Sequence, residues 1–329
     1  MPTPSPPRKA LIGSPKNFWL HHTAHGFDLT HPENPSTPTP PSSPSITLQT
    51  TTSPITIAPR KSALVIIDMQ NFFLSPSFGR SRGAGHAACD NLIKHAIPAA
   101  RKAGMRVVWL NWGLTEEEVR DMPPAVKRAF GFWSVGEEDE LSFGEGAGVS
   151  VDKFGDERCR GGHVLLENGK DGAIYRGLGA DCGIVDDEEE GKTDAGRLLM
   201  RGTWNAALYA PLAQLYSEGV NLASTPDVWI HKNRMSGMWG AKTEGGFEDF
   251  VEKEGIRTLF FTGVNTDQCV GGTFTDAFSK GYDCVLLSDG CGTTSPEFAQ
   301  QCFEFNAAKT YGFCTSCEEF AKGVERMGQ

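Results

Sequence analysis

From residue 61 onward the chain alternates short, β-branched apolar runs with longer stretches of helical spacing, and few folds accept that pattern. SALVIID (62–68) follows the basic Lys61 and ends in an acid, with only apolar or small residues before it. It reads as a strand buried on both faces. HAACDNLIKHAIPAARKAG (86–104) places Ala, Leu and Ile at helical intervals and ends in Lys-Ala-Gly, a stop signal. MRVVWLNW (105–112), DVWIHK (227–232), IRTLFFTGV (256–264) and YDCVLLSDG (282–290) are further strands. Between and after them, NAALYAPLAQLYSEG, FEDFVEKEG, QCVGGTFTDAFSKG and PEFAQQCFEFNAAKTYG carry helical patterns. Alternating units of this kind predict an α/β fold, a three-layer α-β-α sandwich around a mostly parallel sheet.

Two stretches interrupt the pattern. Residues 32–59 are Pro, Ser and Thr with almost no large apolar side chains, which predicts a linker or extended arm. Ahead of it Phe18, Trp19, Leu20 and Phe27 offer apolar surface for docking on the main body or a neighbouring subunit, against the simpler reading of a partly ordered tail. His21, His22 and His25 lack an accompanying acidic or Cys ligand, so they are read as tail residues. The domain division is therefore 1–60 as arm and linker and 61–329 as the main α/β domain. Within the latter, 113–200 is Gly-rich and acidic, too long for a plain loop, and is taken as an insertion or lid. Its DDEEE run lacks the ligand alternation of a calcium loop.

Composition removes several function classes. With 41 acidic residues against 31 basic, the net charge of −10 repels nucleic acid and anionic membrane surfaces. No apolar run approaches the roughly 18 residues of a membrane span, and no signal-peptide pattern opens the chain. Nine scattered Cys in a chain of this length fit reduced thiols and a cytoplasmic setting.

In parallel sheets, ligands bind at the carboxyl ends of strands. Asp68, Lys232 and Cys269 occupy such ends. Each alone has an ordinary explanation, as a cap, a strand-end charge and a buried thiol. Together they supply a proton acceptor, a cation and a nucleophile. Cys269 opens the helix CVGGTFTDAFSKG, where the helix dipole and a nearby lysine are expected to lower the thiol pKa. Free N–H groups at the same helix start can hold an oxyanion. Phe72, Phe73, Trp112, Trp204 and Trp239 are candidate pocket aromatics, with core packing as the alternative for each. Cys314 and Cys317 form a CxxC that lacks a second pair and a thioredoxin-type strand-to-helix setting, so ordinary packing is expected.

The segments DMQNFF (68–73), VWIHKNRMSGMW (228–239) and TGVNTDQCVGGTFTDAFSKGYDCVLLSDGC (262–291) resemble the isochorismatase-like cysteine hydrolase superfamily, and GTWNAAL (202–208) is similar to a further element of it. The resemblance covers roughly 62–112 and 200–310. It implies a Rossmann-like domain, a homodimer or homotetramer, and no cofactor. It makes Asp68 the proton shuttle, Lys232 the stabilising cation and Cys269 the nucleophile. The amides of Asn265 and Cys269 then form the oxyanion hole, shaped by a non-proline cis peptide before Asn265. Metal-dependent nicotinamidases of the family carry histidines after the second strand. NWGLT (111–115) has none, so no metal is expected. The implied activity is hydrolysis of a C–N bond in a small amide, imide, lactam or ureido compound through an acyl-enzyme. Isochorismate-type ether hydrolysis and a non-catalytic binding or assembly role on the same scaffold are the alternatives.

Overall fold

The computed structural model describes residues 6–35, 44–141, 148–156, 164–165, 171–172, 177–187, 191–239 and 245–327. The chain opens with a small sheet of five strands: β1 (Lys9–Ser14), β2 (Asn17–His22), β3 (Gly26–Leu29), β4 (Ile46–Leu48) and β5 (Ile55–Ile57). Their order is β1-β2-β3-β5-β4, with β3 and β5 parallel and the other pairs antiparallel. This corrects the linker reading for residues 46–57. Ile46, Leu48, Ile55 and Ile57 are fully buried and share one apolar cluster with Leu64, Phe260 and Phe320 of the main body. Residues 36–43 of the supposed linker lie outside the described residues.

The small sheet is clamped to the main body by a buried carboxylate. Asp283 accepts hydrogen bonds from the Trp19 indole at 2.7 Å and the Thr258 hydroxyl at 2.9 Å, and contacts His31 Nε2 at 2.6 Å. Trp19 and Phe27 pack on Phe313, so the N-terminal aromatics dock on their own chain. His22 and His25 stack with ring centroids 4.7 Å apart. Among the described residues no three His, Cys, Asp or Glu side chains gather as a metal site.

The main sheet consists of β6 (Ser62–Ile67), β7 (Arg106–Trp112), β8 (Val228–Lys232), β9 (Thr258–Val264), β10 (Asp283–Gly292) and β11 (Phe313–Thr315). They run β8-β7-β6-β9-β10-β11, every pair parallel. The chain works outward from β6 to one edge, then returns to place β9 on its other side. This is a doubly wound sheet with its topological switch point between β6 and β9, where the carboxyl ends leave a crevice. Gly263 makes the close approach possible: its φ is +109°, and a Cβ there would lie 2.0 Å from the Ile67 carbonyl oxygen.

Helices cover both faces. On one lie α1 (Ala84–Asn91, continuing through a π turn at Leu92–Ala96 into Ile97–Lys102), α2 (Ala210–Gly219) and α6 (Cys317–Glu325). The π turn immediately precedes Pro98, whose ring a regular helix interior does not accommodate. On the other lie α3 (Phe247–Lys253) and α4 (Gly271–Lys280). α5 (Glu297–Asn306) lies beside α4, with Phe303 against Phe274. The described part of the 113–200 insertion also packs on this second face. Its Leu114, Met122, Phe130, Leu178, Leu198 and Leu199 join one cluster with Phe72, Trp112 and Cys269.

Candidate functional site

The three candidate site residues sit around the switch point. Asp68 follows β6, Lys232 ends β8, and Cys269 follows β9. All three are buried, with Asp68 at 0%, Lys232 at 1% and Cys269 at 4% exposure. Lys232 Nζ stands 2.9 Å from Asp68 Oδ2 and 3.4 Å from Cys269 Sγ. It also donates to the Arg234 carbonyl at 3.1 Å and lies 4.0 Å from the centre of the Trp112 ring. An ammonium taken wholly out of water is thus matched by a carboxylate, a carbonyl and a π face.

Asp68 has a φ of +54°, and its Oδ1 accepts from the Trp112 backbone amide at 3.1 Å. Burial pushes its carboxyl above the ordinary range, and the opposing pull of Lys232 is the smaller influence. For the thiol the helix-dipole expectation is overturned. Cys269 is pushed up to about 12, first by burial and then by Asp68, while Lys232 pulls the other way. The nucleophile candidate is a thiol at rest. Its position also differs in detail, because the helix begins one turn earlier, in a π turn at Thr266–Val270 that runs on into α4. Asn265 caps that turn, and the Val264–Asn265 peptide bond is cis.

The aromatic candidates divide. Trp112 is buried at the Lys232 ammonium and meets Phe130 of the insertion edge-on. Phe73 lines a cavity of about 180 Å³ together with Val264, Asn265, His86 and Thr293. Phe72 is buried against Phe73 and Phe78. Trp204 packs against Phe78, and its carbonyl accepts from Asn71. Trp239 does not line the site: it is 64% exposed, and its indole donates to Asp276 on the outer part of α4. The CxxC does join a strand to a helix, contrary to expectation, since Cys314 lies in β11 and Cys317 starts α6. Both thiols are free and buried, and burial raises Cys314 to about 11 and lifts Cys317 well above its usual value. Those are the properties of packed thiols.

Four residues escaped the sequence reading. Gln70, wholly buried, grips the Trp112 backbone: its Oε1 accepts from the Trp112 amide, and its Nε2 donates to the Trp112 and Ala206 carbonyls, each at 2.7 Å. Asn205 ties the end of the insertion, donating to the Ala195 and Arg197 carbonyls and accepting from the Leu199 amide. Met235 places its Sδ 3.3 Å from Cys269 Sγ. Asn111, next to last in β7, has neither of its side-chain polar atoms hydrogen-bonded, though it is fully buried. Gln70, Asn205 and Met235 lie inside the segments that carried the resemblance, while Asn111 stood out as a carboxamide in an otherwise mostly apolar strand.

Fold and site together define a doubly wound α/β protein with a thiol, a carboxylate and an ammonium gathered at its switch point. Residues 185–319 of the chain match the family model described as the isochorismatase domain. The ureidoacrylate amidohydrolase RutB of Klebsiella variicola (strain At-22) is 25% identical over 287 residues, covering 85% of this chain and 93% of that protein. A cysteine hydrolase from Pseudomonas syringae pv. phaseolicola 1448A superposes with a TM-score of 0.49 at 15% identity, over 82% of this chain and 94% of that one. The nicotinamidase PncA from Bacillus subtilis does so at 0.48 and 17% identity, over 78% of this chain and 99% of that one.

Proposed function

We propose that the protein is a cysteine hydrolase acting on a non-peptide C–N bond of a small amide or ureido compound, through a covalent acyl-enzyme. The carrying observation is the buried cluster in which Lys232 Nζ contacts both Cys269 Sγ and Asp68 Oδ2. The amidohydrolase RutB, similar along most of the chain, supports the same reaction class.

Cys269 passes its proton to Asp68 as Sγ attacks the substrate carbonyl, and a C–S bond forms. The raised pKa of Asp68 makes it the better acceptor, and Lys232 stabilises the charge that appears on sulfur. The backbone amides of Asn265 and Cys269 hold the oxyanion. When the C–N bond breaks, the departing nitrogen takes the proton back from Asp68. Water then attacks the thioester, losing its proton to Asp68; the C–S bond breaks, the acid leaves, and Cys269 Sγ recovers that proton from Asp68. No step needs a metal, and the histidine-free NWGLT segment at 111–115 gives one no ligand set, so exhaustive chelation leaves turnover unchanged. A loss that added zinc restores overturns that part of the reading.

The test uses 3-ureidoacrylate and a panel of simple amides, with rapid quench and intact-protein mass. A mass increment matching the acyl group, mapped to Cys269, is the expected result. Wild-type-like turnover by Cys269→Ala sinks the covalent route.

A further inference from the structure

We propose that Arg234 anchors a carboxylate of the substrate, so that the site takes anionic amides or ureides; this rests on the hydrolase reading above. Arg234 is partly buried, yet its guanidinium meets no carboxylate among the described residues. Its Nη1 donates to the Asn233 carbonyl at 2.7 Å and to the Met122 thioether at 3.1 Å. Other partly buried arginines here are matched by acids: Arg101 by Asp227 at 2.7 Å, Arg106 by Glu254 at 2.7 Å, Arg201 by Glu118 at 3.6 Å. A thioether is a weak acceptor, and it leaves most of the guanidinium fork unused.

The position is informative. The Arg234 carbonyl accepts from Lys232 Nζ, and the next residue, Met235, touches the Cys269 thiol. Met122 belongs to the insertion. Arg234 therefore lies on the seam between the insertion and the reactive cluster. The nearby charges are already engaged. Lys232 is matched by Asp68, while Glu118 is held by the Thr115 amide, the Asn233 carboxamide and Arg201. Among the described residues one positive charge at this seam, Arg234, has no acidic partner, in a chain whose net charge is −10. A planar guanidinium with spare parallel donors is suited to a carboxylate held by two hydrogen bonds.

Two alkylating agents of nearly equal size separate this role from a structural one. Iodoacetate carries a carboxylate and iodoacetamide does not. Labelling of Cys269 is followed by peptide mapping in the wild type, Arg234→Gln and Arg234→Lys. Arg234→Gln should slow iodoacetate by about tenfold, the scale of one charge-assisted hydrogen bond, and leave iodoacetamide within about twofold. Arg234→Lys should recover part of the loss. An unchanged ratio of the two rates, or equal slowing of both, overturns the anchor. If Arg234→Gln does not fold, the wild type answers instead: 3-ureidopropionate should protect Cys269 from iodoacetamide and its neutral amide should not, equal protection being the refuting result. Labelling needs no turnover, so it can fail while the Cys269→Ala result stands, and the reverse.

Discussion

In the proposed reaction Cys269 and Asp68 depend on each other, because each is held in a protonation state that does not suit it to act alone. A thiol pushed up to about 12 supplies almost no thiolate at neutral pH, so the proposed mechanism requires ionisation to accompany attack, with Asp68 taking the proton. That requires Asp68 to be deprotonated, and burial raises its pKa. Activity should therefore fall on the acid side, at a pH above that of an ordinary carboxylate. Lys232→Met removes the group that lowers Asp68, so the acid limb of the pH–rate profile should move to still higher pH. A limb that stays in place would contradict this assignment. Asp68→Asn should lose about two to four decades in kcat, the usual scale of acid–base assistance, and should lose the limb as well. That these three side chains would meet was legible because strand ends in a parallel sheet are where polar side chains converge. The direction of the thiol shift was not legible. It depends on burial under Met235 and the insertion cluster, which local helix position does not report. Gln70 was hidden for a similar reason, since its partners Trp112 and Ala206 are 42 and 136 residues away in sequence.

At the scale of elements, the main strands announced themselves by their apolar runs, while β4 and β5 did not. Averaged over 32–59, Pro, Ser and Thr conceal the alternations Ile-Thr-Leu and Ile-Thr-Ile, which are too short to stand out but bury every second residue completely. The N-terminal segment is consequently part of the core. Deleting residues 1–58 would uncover Leu64, Phe260 and Phe320, and the product should be insoluble or lose cooperative melting. A soluble, cooperatively melting truncation would show that the small sheet is dispensable. The insertion poses the same question on the opposite face. Asn205 is its knot, with one carboxamide satisfying two carbonyls and one amide. Asn205→Ala should destabilise the protein by about 2–4 kcal/mol, because buried backbone groups lose their partners. If the insertion roofs the site, protease sensitivity should rise within 113–200 before global unfolding, and Cys269 should become more accessible to iodoacetamide. Unchanged proteolysis and labelling would place the knot outside the roof.

For the whole molecule, the notable property is how many thiols it keeps protonated. Burial raises Cys89 and Cys269 to about 12 and Cys314 to about 11, and lifts Cys284, Cys291 and Cys317 well above the usual value of 9.0. A group whose folded pKa exceeds its unfolded one binds its proton more tightly in the native state. Its contribution to stability is fully present below the unfolded pKa and disappears as pH rises through the folded one. The sensitive window is thus the alkaline side, opening near 9 and closing near 12. At a pH of about 10.5 the loss should be of the order of 2 kcal/mol for each of Cys89 and Cys269, with the deeper thiols adding to it. Thermal melting should therefore be nearly flat between about pH 7 and 8.5 and fall steeply above 9, in reducing buffer that keeps disulfides from forming. Cys89→Ala separates this from general alkaline damage. It deletes one of the titrating groups, so its melting temperature should drop less between pH 8 and 10.5 than that of the wild type, whatever its starting value. Parallel pH curves for the two proteins would mean that buried thiols do not govern the alkaline limit.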